Sequence, residues 1–169
     1  IEEYLNGTLA DIPSWKLLKD IDKAVEIISG KIDAGTKMRI IGDYDIDGVT
    51  ATYILLKGFK RLGANVDTYI PDRVADGYGI HDHLIKKAME DGIDTIVTCD
   101  NGISASSQIT YAKELGMTVV VTDHHEVPFT DTEEGRTYIL PPADAIINPK
   151  QADCTYPNKN ICGAVVAMK

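Results

Sequence analysis

Three aspartates at alternate positions, Asp43, Asp45 and Asp47, follow a short apolar segment in the sequence GDYDIDG. Two bare carboxylates about 5 Å apart repel by roughly 3 kcal/mol at an effective dielectric near 20, so such a cluster calls for a positive charge nearby. Asp100 and His124 also follow apolar segments. Carboxylate oxygen together with imidazole nitrogen suits manganese, magnesium or zinc. If the fold brings these side chains together, the sequence predicts a site for one or two divalent cations.

The apolar segments alternate with stretches of helical periodicity. This alternation predicts an α/β fold, a doubly wound and mostly parallel sheet with helices on both faces. A helix is expected before the sheet, between about residues 14 and 34, and the polar segment 128–142 predicts a surface excursion between two strands. The carboxyl ends of parallel strands face one edge, where open α/β sheets bind ligands. Five polar residues are expected at that edge: Asp43, Asp72, Asp100, Asp123 and Asn148.

Each polar motif, taken alone, also has a purely structural explanation. Aspartate and glycine are common at helix N-caps and turns, and Asp100 alone would serve as a cap for the helix that follows it. His124 and His125 alone could be a hydrogen-bonded pair in a turn. Only the combination, with each motif at a strand end of one sheet, favours chemistry. Asp47 stays open between an N-cap and a metal ligand, with the cap preferred.

The composition places bounds on the class of protein. With 44% hydrophobic and 25% charged residues, the 169-residue chain predicts one folded domain. A net charge of −9 argues against a surface that attracts nucleic acid unaided. No apolar run approaches the roughly 18 to 20 residues of a membrane span. The three cysteines lack the spacing of a zinc site, which favours reduced thiols in the cytoplasm. The start at Ile1 and the apolar run that stops at Lys169 are interpreted as cut ends.

Five motifs, in this order and spacing, resemble the RecJ branch of the DHH phosphoesterase superfamily: GDYDIDG, TCDNGIS, VTDHHEVP, INPK and ICGAVVAMK. The Asp-His-His triplet at 123–125 is the one that names the superfamily, and YIPDRVADGYGI at 69–80 also resembles the RecJ branch. The resemblance implies an N-terminal helical segment over 1–35 and a DHH phosphoesterase domain over 36–169. It further implies metal-dependent phosphodiester hydrolysis, by a 5′-to-3′ exonuclease that acts on single-stranded DNA in recombination and repair.

The same resemblance implies roles for individual residues. Two Mn²⁺ or Mg²⁺ ions would be held by Asp43, Asp45, Asp100 and His124, with Asp100 between the ions. His125 would contact the scissile phosphate, Asp123 would fix an imidazole, and backbone amides after Asn101 would help to hold a phosphate. The catalytic residues expected on this basis are His125, Asp100 and Asp123.

Two departures from the family pattern bear on metal binding. Many relatives carry a histidine where this chain has Ile41, and a further metal-binding aspartate is expected beyond Ala167. The resemblance also implies a C-terminal companion domain that closes over the substrate and supplies basic residues, and a monomeric enzyme. The chain is therefore expected to bind metal weakly and to be inactive by itself.

Three alternative functions compete with this interpretation. A related DHH phosphodiesterase would act on short oligonucleotides or cyclic dinucleotides. A haloacid-dehalogenase-like phosphatase would use Asp45 and Asp47, and a receiver-like signalling module would bind one magnesium ion without turnover. For the nuclease, Tyr44 and Tyr78 are candidates for base stacking, with buried packing the preferred role for Tyr44.

Overall fold

The computed structural model describes residues 5–74, 76–77, 79–132 and 135–169, and the side chain of Leu9 also lies outside the description. Within these residues, five helices and seven strands follow the two short 3₁₀ turns, Leu9–Asp11 and Trp15–Leu17. The helices are α1 Ile21–Asp33, α2 Ile46–Arg61, α3 Asp82–Glu90, α4 Ser106–Glu114 and α5 Gly163–Met168. The strands are β1 Lys37–Ile41, β2 Asn65–Tyr69, β3 Thr95–Cys99, β4 Thr118–Thr122, β5 Phe129–Thr132, β6 Gly135–Tyr138 and β7 Ala145–Ile147.

The central sheet has five parallel strands in the order β2-β1-β3-β4-β7. The chain therefore runs from β1 outward to β2 and then returns to place β3 on the other side of β1. A reversal of this kind opens a crevice at the carboxyl ends of β1 and β3, the usual ligand position in such sheets. The predicted parallel α/β fold is confirmed.

Side chains alternate between two hydrophobic layers, as the period of two in a β-strand requires. Met38, Ile40 and Val97 face a layer that contains helices α1, α2 and α5. Ile41 and Ile96 face the opposite layer, which contains α3 and α4. Because both faces are covered, every residue of β3 is buried. The sheet is thus a rigid platform for the side chains that follow its strands.

The N-terminal helix is shorter than the periodicity predicts. Trp15–Leu17 forms a 3₁₀ turn, Leu18 is extended, and Asp20 adopts a left-handed conformation with φ 60° before α1 begins at Ile21. The break has a packing cause, because it places Leu18 in the core at 2% exposure. It also lets the Asp20 carboxylate accept the backbone N–H of Ile146 at 3.2 Å, on the edge strand β7. The domain boundary near residue 35 stays a proposal.

The segment 128–142 leaves the sheet, as expected, and returns to it at β7. Its described part forms a two-stranded antiparallel hairpin, β5 with β6, whose described residues are exposed. Phe129 and Tyr138 meet edge to face, with ring centroids 6.2 Å apart. Within the described ranges, no helix has the length and apolar character required to cross a bilayer.

Candidate metal centre

Carboxylates from two neighbouring strands meet at the carboxyl edge of the sheet. Asp43 follows β1 and Asp100 follows β3, while Asp45 lies at the start of α2. One oxygen from each of these three residues lies within 4.8 Å of the other two. A second group joins Asp100 to His124 and His125 within the same limit. The structure therefore brings together the four residues predicted as metal ligands: Asp43, Asp45, Asp100 and His124.

The first motif is held close to the sheet by a glycine. Asp45 is the N-cap of α2 and accepts the backbone N–H of Gly48 at 2.9 Å. A Cβ atom on Gly48 would lie 2.6 Å from both the Cβ and the carbonyl oxygen of Asp43. Only glycine allows the helix to start this near to the strand end. The tight turn leaves Asp43 3% exposed and Asp45 at the surface.

Asp100 occupies a strained and buried position. It is one of two described non-glycine residues with positive φ, at 60°, and it is 2% exposed. Such backbone conformations cost free energy and concentrate at functional sites. Burial, together with the charges of Asp47 and Asp45, raises the pKa of the Asp100 carboxyl to about 7. The environment thus disfavours the bare carboxylate unless a positive charge is present.

Two carboxylate oxygens in this cluster are buried and receive no hydrogen bond, Asp43 Oδ1 and Asp100 Oδ1. His124 Nε2 lies 3.0 Å from Asp100 Oδ1, but not in hydrogen-bond geometry. Burial also raises the pKa of Asp43. Buried oxygens without donors are rare and call for an explanation. Divalent cations with oxygen and imidazole ligands fit this donor set, because they would supply the missing positive charge.

Asp47 does not have the helix N-cap role that was preferred from the sequence. It lies in the first turn of α2, whose N-cap is Asp45, so the expected N-cap role is wrong. Its carboxylate instead accepts the backbone N–H groups of Gly163 and Ala164, each at 2.7 Å, at the start of α5. It also lies 3.5 Å from His124 Nε2. Asp47 therefore joins two helices beside the cluster.

Asp123 and His125 form a tightly bonded pair. Asp123, 1% exposed, accepts the backbone N–H groups of His124, His125 and Ile103, and its Oδ1 lies 2.7 Å from His125 Nδ1. Burial alone would raise the pKa of Asp123, but the hydrogen bonds from His125 and Ile103 outweigh it and lower the pKa. The same hydrogen bond raises the pKa of His125. The predicted acceptor for an imidazole therefore pairs with His125.

The Asn101 side chain makes structural hydrogen bonds through its amide nitrogen, while its buried Oδ1 has no hydrogen-bond partner among the described residues. Its side chain is 1% exposed, and Nδ2 donates to the backbone oxygens of Ile41 at 3.3 Å and Cys99 at 3.2 Å. Helix α4 begins only at Ser106, so the amides directly after Asn101 are not a helix N-terminus, contrary to expectation. They nevertheless border a cavity of about 270 Å³ that also touches His125.

Two basic residues near the cluster were not assigned a role from the sequence. The guanidinium of Arg73 lies 5.5 Å from the ring centroid of Tyr44, which is half-buried. Lys150, in the INPK motif, lies close enough to His125 for its charge to oppose the rise in that pKa. Tyr78 lies outside the described residues. Ile41, the position of the first departure expected from the family pattern, is buried in the core.

Together, the fold and this site define a class: a doubly wound α/β protein whose acidic and imidazole side chains converge at the switch point of a parallel sheet. Residues 37–169 match the DHH family, N-terminal domain. This chain belongs to the DHH family.

Among curated relatives, the single-stranded-DNA-specific exonuclease RecJ of Salmonella typhimurium is 42% identical over 168 residues, 99% of this chain and 27% of that protein. The RecJ of Bacillus subtilis is 42% identical over 166 residues, 98% of this chain and 20% of that protein. The chain thus spans about a quarter of the length of the curated relatives it matches.

Solved structures agree with the sequence comparison. A crystal structure of exonuclease RecJ bound to manganese is 31% identical, with a TM-score of 0.78, and covers 92% of this chain and 37% of that one. RecJ from Thermus thermophilus in complex with Mn²⁺ is 30% identical, with a TM-score of 0.72, and covers 98% of this chain and 22% of that one.

Proposed function

We propose that this chain is part of a metal-dependent phosphodiesterase, a 5′-to-3′ exonuclease that degrades single-stranded DNA in recombination and repair. The observation that carries the proposal is the carboxylate cluster of Asp43, Asp45 and Asp100, with its buried oxygens that lack hydrogen-bond donors. The names of the RecJ relatives supply the substrate class.

In this proposal Asp43, Asp45, Asp100 and His124 would hold two Mn²⁺ or Mg²⁺ ions. Such ions, when bound, lower the pKa of a water and offset the negative charge that develops on phosphate oxygens. The protein fixes the ligands in advance: Asp43 and Asp100 through burial at the strand ends, and Asp45 through its bond to the amide of Gly48. Asp100 belongs to both ligand groups, so its carboxylate could serve either of them.

The protein's own contribution at the phosphate rests on His125. Asp123 holds its Nδ1 and favours the protonated ring, so His125 would present a positive charge to the scissile phosphate. The cavity bordered by His125 and by residues 101–105 gives room for the phosphate and its sugar. Asn101 supports this wall through its bonds to two strand ends.

The partners follow from the same reasoning. A chain with a net charge of −9 needs help to hold DNA, and we propose that a C-terminal companion domain of the same polypeptide supplies basic residues. The proposal includes a monomeric enzyme. Free thiols at Cys99, Cys154 and Cys162 are compatible with the reducing cytoplasm, which is the proposed location.

The test compares substrates and variants of the complete protein. A 5′-phosphorylated single strand, a linear dinucleotide and a cyclic dinucleotide are incubated with Mn²⁺ or with EDTA. We expect Mn²⁺-dependent degradation of the long strand, and its loss in Asp100→Ala but not in the control Asp94→Ala, whose carboxylate lies at the opposite, amino end of β3 and pairs with Lys31. Normal Mn²⁺-dependent cleavage by Asp100→Ala would refute the site, and a preference for either dinucleotide would replace the proposed substrate by the short-substrate alternative.

A phosphatase or a signalling module would behave differently. A haloacid-dehalogenase-like enzyme would form a phospho-aspartate at Asp45, and a signalling module would bind one ion without turnover. Neither scheme uses the paired Asp123 and His125, and membership of the DHH family gives both less support.

A further inference from the structure

A groove of about 290 Å³ opens next to the Asp-His-His turn, and its lining residues are distinct from those of the cavity beside His125. The cavity is lined by His125 and by residues 101–105, whereas the groove is lined by Glu126, the residue that follows His125. The groove contains two lysines and one acid, in a chain whose overall charge is strongly negative. Its lining residues are Glu126, Lys150, Gln151, Ala152, Lys159 and Asn160.

A buried asparagine fixes Lys150 relative to His125. Asn148 is 0% exposed, and its Nδ2 donates to the backbone oxygen of His125 at 3.0 Å. Its Oδ1 accepts the backbone N–H of Lys150 at 2.8 Å. One side chain thus ties the two turns together. The backbone of Lys150 is therefore only two hydrogen bonds removed from that of His125, which sets Lys150 beside the proposed place of the scissile phosphate.

The Lys150 ammonium is held by a partner that a substrate could replace. Lys150 Nζ lies 2.8 Å from Glu126 Oε1, and the Glu126 side chain is 83% exposed while that of Lys150 is 20% exposed. Ion pairs with so exposed a partner contribute little free energy. A phosphate oxygen could take the carboxylate's place at low cost, since lysine binds phosphate as a point charge.

We propose that Lys150 binds a non-scissile backbone phosphate of the single strand, and that Glu126 occupies this position when no strand is bound. The inference rests on the proposed function, since it extends the path of the same substrate beyond His125. Lys159 lines the same groove, with Nζ bonded to the backbone oxygen of Cys154 at 2.5 Å, and adds positive potential without a direct contact.

Opposite effects are expected from the two members of the ion pair. In the complete protein, Lys150→Gln should raise KM for a long single strand about tenfold with kcat within about twofold, because a ground-state phosphate contact is lost. Lys150→Arg should restore KM, since it keeps the charge. Glu126→Gln should lower KM about two- to fivefold, because Lys150 no longer has to leave a carboxylate. The slope of log affinity against log salt should become shallower by about 0.7 in Lys150→Gln.

A modified substrate identifies the contacted phosphate. Single strands that carry one neutral methylphosphonate, moved one linkage at a time beyond the first, should weaken wild-type binding about tenfold at one linkage. Lys150→Gln should be indifferent to that linkage. The matched control is Lys113→Gln, whose lysine pairs with Asp144 at 2.6 Å on a remote surface. If wild type degrades single strands but Lys150→Gln has the same KM and the same response to methylphosphonates as Lys113→Gln, this inference is overturned while the proposed function stands. If wild type with Mn²⁺ degrades no single strand, the proposed function itself fails.

Discussion

Gly163 is the position where a single methyl group should damage the candidate metal centre. A Cβ atom there would lie 2.6 Å from Asp100 Oδ1 and 2.8 Å from Asp100 Cβ and Cγ. Neither neighbour can move freely, since Asp100 is 2% exposed and the Gly163 amide is bonded to Asp47. Gly163→Ala should therefore displace the Asp100 carboxylate or push α5 away from it.

Gly58 provides a matched control for the loss of stability expected in Gly163→Ala. Overpacking of this kind costs about 1–3 kcal/mol, while alanine gains up to about 1 kcal/mol over glycine within a helix. A Cβ atom on Gly58, in α2, would meet no atom within 4 Å beyond its own helix backbone and chain neighbours, so Gly58→Ala should show only the gain. Gly163→Ala should thus be about 1–3 kcal/mol less stable to urea than Gly58→Ala.

Manganese gives the more specific measurement. Saturating metal at 100 times its Kd stabilises a protein by about 2.7 kcal/mol, so denaturation of the complete protein with and without Mn²⁺ reports on the site. A displaced ligand should weaken Mn²⁺ binding at least about tenfold in Gly163→Ala. Gly58→Ala should bind Mn²⁺ as wild type does. Equal stability and equal Mn²⁺ affinity of the two variants would show that the contact between α5 and Asp100 does not position the carboxylate.

Three further predictions concern the same region. With EDTA present, the free energy of unfolding should fall by a few kcal/mol as pH rises from about 4 to 7. The reason is that the folded state holds the Asp100 proton up to a pKa of about 7. Urea denaturation across this range should show this fall in wild type, and Asp100→Asn should lack the part that is due to Asp100. Asp123→Asn should lower the pKa of His125, measured by NMR titration of its ring proton, because the charged hydrogen-bond partner is lost; an unchanged titration would contradict the pairing. Replacement of 129–138 by a short glycine-serine linker should leave the Mn²⁺ affinity, measured by calorimetry, within about twofold of wild type. The reason is that the hairpin is not part of the central sheet. A loss of metal binding would contradict this prediction.

The convergence of the carboxylates could be predicted because it follows from topology. Asp43 and Asp100 each come directly after an apolar segment, and parallel strands place their carboxyl ends at one edge. The rule requires no knowledge of packing. The residue roles that came from the family resemblance stay predictions, although the structure places their side chains in one cluster.

Other features depend on contacts that no local pattern encodes. Asp47 looks like a cap for its own helix, but its partners Gly163 and Ala164 lie 116 and 117 residues later. The break in helical structure at Leu18 likewise depends on space in the core and on the edge of β7. Lys150 belongs to the INPK motif, yet its position beside His125 depends on the two bonds of the Asn148 side chain.

The carboxylate cluster lowers the stability of the folded domain, and the rest of the domain must offset this loss. Asp100 has a left-handed backbone, a raised pKa and a buried oxygen without a donor, and Asp43 shares the last two features. Glycines at 48 and 163 allow the surrounding backbone to approach these carboxylates too closely for any other residue. Such an arrangement holds the ligands in place before an ion arrives, so little of the free energy of metal binding is spent on ordering them. The same reasoning explains why the ion should stabilise the fold: it removes a penalty that the folded chain bears and the unfolded chain does not.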